Sequence, residues 1–261
     1  MIGFVLGTSE GKKILEEVNK FTDNIFVSTS TKYGSELLEK YSIKHLNSKP
    51  LNYDGFKEAI ENFNIGIFVD ATHPYAKEVS ETLIKVCTDL GVKYIRYERK
   101  SYFDEIKNNE NIIRIDDYSE LKGVLENIDG TILNTTGSNN VDTINNLNLK
   151  NRVIHRILPS YTILKRLIEN GTKIEDIIAI KGPFGRAIND GIIKEYNIKA
   201  IITKDSGLEG GVKEKVESAL ENNAKVILLN KPKVQYGVSF NNIKDLIDVI
   251  KKNWGNKFWK N

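Results

Sequence analysis

The sequence predicts an α/β protein: two Rossmann-like domains with parallel sheets flanked by helices, and an active-site cleft between them. Three observations carry that expectation. Apolar runs of four to seven residues recur along the 261-residue chain, as in strands buried on both faces of a parallel sheet. Between them lie stretches whose apolar residues fall three and four apart, the pattern of helices that bury one face. The strand–helix units also outnumber what one compact sheet needs, and a polar stretch at 100–111 interrupts their alternation.

In chain order, strands are expected at 2–6, 24–28, 65–69 and 92–96, then at 131–134, 153–158, 177–180, 200–203 and 225–229. Helical spacing links Ile14, Leu15 and Val18; Val79, Leu83, Ile84, Val86 and Leu90; and Val212, Val216, Ala219 and Leu220. Alternation of this kind implies parallel βαβ units. The domain boundary is placed near residue 116. Residues 1–116 form an expected nicotinamide-dinucleotide-binding domain, and 117–261 a second α/β domain that contributes to substrate binding.

Composition excludes several classes. With 38 Lys+Arg against 35 Asp+Glu, the net charge of +3 is too mild to argue for nucleic acid or an anionic membrane. One cysteine, Cys87, excludes an intramolecular disulfide framework and any CxxC metal site, so no metal is expected. No apolar run approaches a membrane span, and the first residues lack the basic flank and cleavage site of a signal peptide. A cytoplasmic protein, monomeric or a small homo-oligomer, is the expectation. Divided at residue 116, the charge becomes −2 in the first part and +5 in the second.

In open parallel sheets, ligands gather at the carboxyl ends of the strands. The first strand runs into Gly7, Thr8, Ser9, Glu10 and Gly11, opening a helix. Gly7 allows close backbone approach, and a helix N-terminus presents free N–H groups to a phosphate. The second strand ends in Ser28, Thr29, Ser30, Thr31 and Lys32. It has no carboxylate for a ribose 2′-hydroxyl, so a 2′-phosphate and a plain polar loop stand as equal readings. The strand at 65–69 leads into Asp70, Ala71, Thr72, His73, Pro74, Tyr75 and Ala76, with Pro74 suited to the first turn of the next helix. A carboxylate, an imidazole and a phenol within six residues make His73 and Tyr75 candidates for proton delivery or positioning; capping by Asp70 and Thr72 is the alternative.

Three later strand ends combine glycines with hydroxyls or bases: Thr135, Thr136, Gly137 and Ser138; Lys181, Gly182, Pro183, Phe184, Gly185 and Arg186; and Lys204, Asp205, Ser206, Gly207, Leu208, Glu209, Gly210 and Gly211. Each alone is ordinary turn chemistry, but three on one edge suggest a floor for an anionic ligand. His45, His155 and Cys87 read as structural, and Trp254 and Trp259 as packing residues.

In this order the motifs resemble the precorrin-6A reductase family, including its cobalt-precorrin-6A branch in cobalamin biosynthesis. The likeness spans nearly the whole chain and is most specific at 70–76 and 203–207. It departs where Leu6 precedes a single Gly7, and where Lys181 stands before Gly182-Pro183-Phe184 in place of arginine. The resemblance implies reduction of the C18–C19 double bond of a corrin precursor. Hydride goes from NADPH, or NADH, to C19, and a proton goes to C18. It also implies cofactor contacts from Gly7, Thr8, Ser9, Glu10, Ser28, Thr29, Ser30, Lys32, Asp70, Ala71 and Thr72. The tetrapyrrole would meet His73, Pro74, Tyr75, Thr136, Gly137, Lys181, Gly182, Pro183, Phe184, Lys204, Ser206, Gly207, Gly210 and Gly211. Two other readings are a Rossmann-like methyl- or glycosyltransferase and a two-lobed protein that binds a small anion. The missing acid after the second strand speaks against methyl transfer.

Overall fold

The structure, a computed structural model, describes residues 1–7, 10–106, 109–207 and 210–258, with 33 and 254–258 described by backbone alone. Thr8, Ser9, Leu208, Glu209 and Trp259 therefore lie outside the described residues, as does the side chain of Trp254.

Two compact units form: residues 1–99 with 232–261, and residues 100–231. In the first, β1 (Ile2–Leu6), β2 (Ile25–Ser28), β3 (His45–Asn47), β4 (Ile67–Ala71), β5 (Lys93–Tyr97) and β12 (Ser239–Phe240) form one sheet, ordered β12-β5-β4-β1-β2-β3. Every pairing is parallel. β1, β2 and β4 are buried along their whole length, which is why they read as unbroken apolar runs.

The helices of this unit are α1 (Glu10–Val18), α2 (Lys32–Glu36), α3 (Tyr53–Phe63), α4 (Lys77–Asp89) and α10 (Ile243–Phe258). α1 buries Ile14, Leu15 and Val18, while α10 adds Leu246, Ile247 and Ile250 to the same core. Asn52 caps α3 by accepting from the Gly55 amide at 2.9 Å. α4 begins at Lys77 rather than at the expected Pro74, because residues 74 and 75 form a separate turn.

The second unit holds β6 (Ile112–Ile115), β7 (Thr131–Asn134), β8 (Val153–Ile157), β9 (Ile177–Ala179), β10 (Ile198–Lys204) and β11 (Lys225–Leu229). Their order is β6-β11-β10-β7-β8-β9, again all parallel. Its helices are α5 (Leu121–Leu125), α6 (Val141–Asn145), α7 (Tyr161–Glu169), α8 (Arg186–Glu195) and α9 (Val212–Glu221). Both sheets share one topology once β7–β11 are matched to β1–β5. The sixth place is then filled out of sequence in each: β6 lies beside β11, and β12 beside β5.

That exchange corrects the boundary expected at residue 116. β6 lies before that point yet pairs with β11, and the chain returns to the first unit at Pro232. Tyr102 and Phe103, inside the polar stretch, are buried anchors of the second core. The charge division changes with it. The first unit carries 19 basic and 16 acidic residues and the second 19 of each, so the +5 of residues 117–261 is not a property of the second unit. The basic C-terminal segment belongs to the first unit.

Candidate active site

In the first sheet the winding direction reverses between β1 and β4, which is where doubly wound folds bind ligands. Gly7 leaves β1 there, and its amide donates to the Ala71 carbonyl at 3.0 Å. A Cβ at Gly7 would touch the Ala71 carbonyl at 3.4 Å, and both an Arg99 guanidinium nitrogen and the His73 amide nitrogen at 3.6 Å. Glu10 opens α1 with its carboxylate buried and paired to Arg99 Nη2 at 2.6 Å. Its Oε1 has no hydrogen-bond partner among the described residues. Backbone free of a side chain, a helix N-terminus and an arginine head thus meet at one switch point. Those features suit the pyrophosphate of a dinucleotide.

Asp70 has a different role from the expected cofactor contact. The side chain is fully buried, and Oδ1 accepts from the Thr72 amide (2.9 Å), the Thr72 hydroxyl (2.7 Å) and Arg96 Nη1 (2.6 Å). Oδ2 accepts from the Ser80 hydroxyl at 2.6 Å and the Tyr94 phenol at 2.7 Å. Five donors occupy the carboxylate, and burial with the Asp70 charge pushes the Tyr94 phenol pKa well up. Arg96 also donates to the Thr72 hydroxyl (2.9 Å) and the Thr72 carbonyl (3.1 Å), with the Tyr236 ring 4.7 Å from its guanidinium carbon. This clamp fixes the turn that carries His73 and Tyr75. Ala71 and Thr72 are buried within it.

His73 is half-buried, and its Nδ1 accepts from the Tyr75 amide at 3.3 Å, which makes Nε2 the donor nitrogen of the neutral ring. The two rings lie 5.7 Å apart. Pro74 is buried beside them.

At the end of β2, two expected cofactor contacts are otherwise engaged. The Ser28 hydroxyl accepts from Asn47 Nδ2 at 3.0 Å, and the Thr29 amide donates to the Asn47 carbonyl at 2.9 Å, fastening β2 to β3. Thr31 accepts from the Gly34 amide at 3.0 Å. Ser30 and Lys32 face solvent, Lys32 with a loose Glu36 neighbour at 4.0 Å.

The second sheet reverses between β7 and β10. Asn134 ends β7 with the clip that Asp70 makes: Oδ1 accepts from the Thr136 amide at 2.9 Å and the Thr136 hydroxyl at 2.7 Å. Thr136 is buried by it, and its hydroxyl is directed inward rather than to a ligand. Asn134 Nδ2 meets His155 Nδ1 at 3.1 Å, and His155 Nε2 meets Asn145 Oδ1 at 3.0 Å, which makes His155 the hydrogen-bonded core residue the sequence suggested. Gly137 follows at φ +97°.

The loops after β9 and β10 converge. Gly211, at φ +66°, would place a Cβ 3.0 Å from Pro183 Cβ, so only glycine suits both the backbone and the contact. Lys181, Gly182 and Pro183 are exposed, and the Gly182–Pro183 peptide is cis. Phe184 lies under the Arg156 guanidinium at 5.1 Å. Lys204 and Ser206 are half-buried at the same edge as Gly207 and Gly210, and burial pulls the Lys204 pKa below the usual lysine range. Asp205 pairs with Lys231 at 3.1 Å. Arg186, the base that closes the Lys181–Arg186 loop, faces Glu217, Asp190 and Glu221, so its charge is already met.

The residues missed by sequence reasoning are Arg96, Arg99, Tyr94, Tyr236 and Arg156. One signal was available: an arginine inside a strand buried on both faces needs a carboxylate nearby.

Two doubly wound parallel sheets, one with a glycine turn and an arginine at its switch point, define a Rossmann-like protein of the dinucleotide-binding type. The chain belongs to the precorrin-6x reductase family CbiJ/CobK, whose model matches residues 2–251. It is 37% identical over 246 residues to the cobalt-precorrin-6A reductase of Methanocaldococcus jannaschii, covering 94% of this chain and 95% of that one. It is 28% identical to the enzyme of that name from Priestia megaterium, covering 96% and 98%. Among solved structures it superposes on a CobK precorrin-6A reductase with a TM-score of 0.76 at 13% identity, covering 96% of each chain, which supports the fold. No helix among the described residues is long and apolar enough to cross a membrane.

Proposed function

We propose that this chain reduces cobalt-precorrin-6A, or its metal-free counterpart, at the C18–C19 double bond with NADPH as reductant. The observation that carries the reading is the family likeness, which runs through both switch points. The Gly7 turn, the α1 N-terminus and Arg99 suit the pyrophosphate, while exposed Ser30 and Lys32, on a strand end whose residues 28–32 include no carboxylate, suit a 2′-phosphate.

When bound, the dihydronicotinamide supplies the hydride. The other duties fall to the chain. The Asp70–Arg96 clamp holds in one conformation the turn that carries His73 and Tyr75, the two candidates for supplying or positioning the proton that goes to C18. In the second unit Lys181, Lys204 and Ser206, with the backbone at Gly137, Gly182, Gly207, Gly210 and Gly211, offer cations and N–H groups to substrate carboxylates.

The test is anaerobic incubation of the purified chain with NADPH and cobalt-precorrin-6A. One equivalent of cofactor should be oxidised per tetrapyrrole as the corrinoid spectrum shifts. No oxidation with NADPH or NADH would overturn the reading.

A further inference from the structure

Glu10 belongs to the buried stripe of α1. It stands four and eight residues before Ile14 and Val18, the spacing that puts all three on one helix face, and it is 1% exposed. An acid on such a stripe is costly to bury unless a cation meets it. Arg99 does so, with Nη2 at 2.6 Å from Oε2 and 7% of its own side chain exposed. Oε1 accepts no hydrogen bond among the described residues, although buried polar atoms ordinarily find a partner. Stability alone does not account for a buried pair left in that state.

Arg99 has no strand to direct it. It lies two residues past the end of β5, at the last position of the first unit. Its head nonetheless reaches the turn after β1, where Nη2 stands 3.6 Å from the place a Cβ on Gly7 would take. The nitrogen that meets Glu10 is therefore the one that lines the Gly7 turn. Arginine is long and rich in rotamers, so an acid behind its head fixes what the backbone there leaves open.

We propose that Glu10 is a positioning residue: it acts through Arg99, holding the guanidinium over the Gly7 turn before a dinucleotide arrives. Ordering the arginine in advance removes that cost from cofactor binding. Direct contact would set a carboxylate against a phosphate anion, whereas the Glu10 charge is turned to Arg99 and closed to solvent. Assigning the ligand as the cofactor's pyrophosphate rests on the function proposed above; the Glu10–Arg99–Gly7 arrangement does not.

Calorimetry of NADPH binding to the whole chain, without tetrapyrrole, tests the role. Glu10→Ala removes the anchor and should raise the NADPH Kd at least tenfold. Glu10→Gln keeps an acceptor of the same length without the charge, and should bring the Kd back to within threefold of wild type. In an Arg99→Met background Glu10→Ala should change the Kd by less than twofold, because the effect runs through the arginine. The Kd for cobalt-precorrin-6A should stay within twofold in Glu10→Ala. Should Glu10→Ala not fold, Glu10→Asp, which keeps the charge but shortens the reach by one methylene, replaces it with the same expectations. An NADPH Kd that is unchanged or lower overturns the proposal, as do equal losses in Glu10→Ala and Glu10→Gln. A loss that persists without Arg99, or one shared equally by the tetrapyrrole, also overturns it. The expected pattern in a chain that reduces no tetrapyrrole upholds Glu10 and defeats the reductase reading alone. A wild type that binds neither NADPH nor NADH overturns both.

Discussion

Asp70 and Arg96 are register neighbours on β4 and β5, and their charged ends meet at 2.6 Å with 0% and 1% of the side chains exposed. The pair lies directly beneath the turn carrying His73, so stability and site geometry depend on the same contact. Asp70→Ala leaves the Arg96 guanidinium buried without its counter-ion, which typically costs about 3–5 kcal/mol. Urea denaturation should show a loss of that order. Asp70→Asn, which retains an acceptor for Arg96 and Thr72, should lose less.

His155 makes stability depend on pH. Burial lowers its pKa from 6.5 to about 4. Between those values the unfolded chain binds a proton that the folded chain refuses, so stability falls as pH drops from 6.5 to 4 and not further below. The contribution of this group is at most ~3 kcal/mol. The expected result is a larger fall in unfolding free energy between pH 7 and pH 4.5 for wild type than for His155→Asn. Equal falls would remove His155 from the account.

Gly7 tests the switch point of the first sheet. The contacts that a Cβ would make there, 3.4 Å and longer, are ordinary van der Waals distances, so Gly7→Ala should fold. It places a methyl where the proposed dinucleotide would approach the backbone. KM for NADPH should rise about tenfold, equivalent to ~1.4 kcal/mol, while the tetrapyrrole KM stays within twofold.

Lys32 tests the choice of cofactor. It is exposed and only loosely tied to Glu36, so Lys32→Ala should change stability by no more than about 0.5 kcal/mol. A charge-assisted contact to a 2′-phosphate is worth ~1.5–3 kcal/mol. The ratio of kcat/KM for NADPH over NADH should therefore fall at least tenfold. An unchanged ratio would place the 2′-phosphate elsewhere.

The positions of the strand-end loops were legible before the structure because turn residues act locally. Gly7, the 70–76 block, Gly137 and the two glycine loops of the second unit all stand where alternating strands and helices put them. The functions of individual side chains there were less legible. Asp70, Thr72 and Thr136 resemble ligand contacts in sequence, but each closes a clip with its own neighbours. Ser28 and Thr29 stitch β2 to β3, a strand whose three residues carry no period strong enough to detect.

The sequence by itself determined the class of fold, nine of the twelve strands among the described residues and the loops that follow them, because periodicity and turn residues act over a few positions. Only the tertiary structure decided which strand completes each sheet, where the units divide and which charges are buried together. β12 finds β5 and Asp70 finds Arg96 across 143 and 26 positions of chain respectively. Parallel pairing and charge burial are settled by such distant neighbours, and no local pattern encodes them.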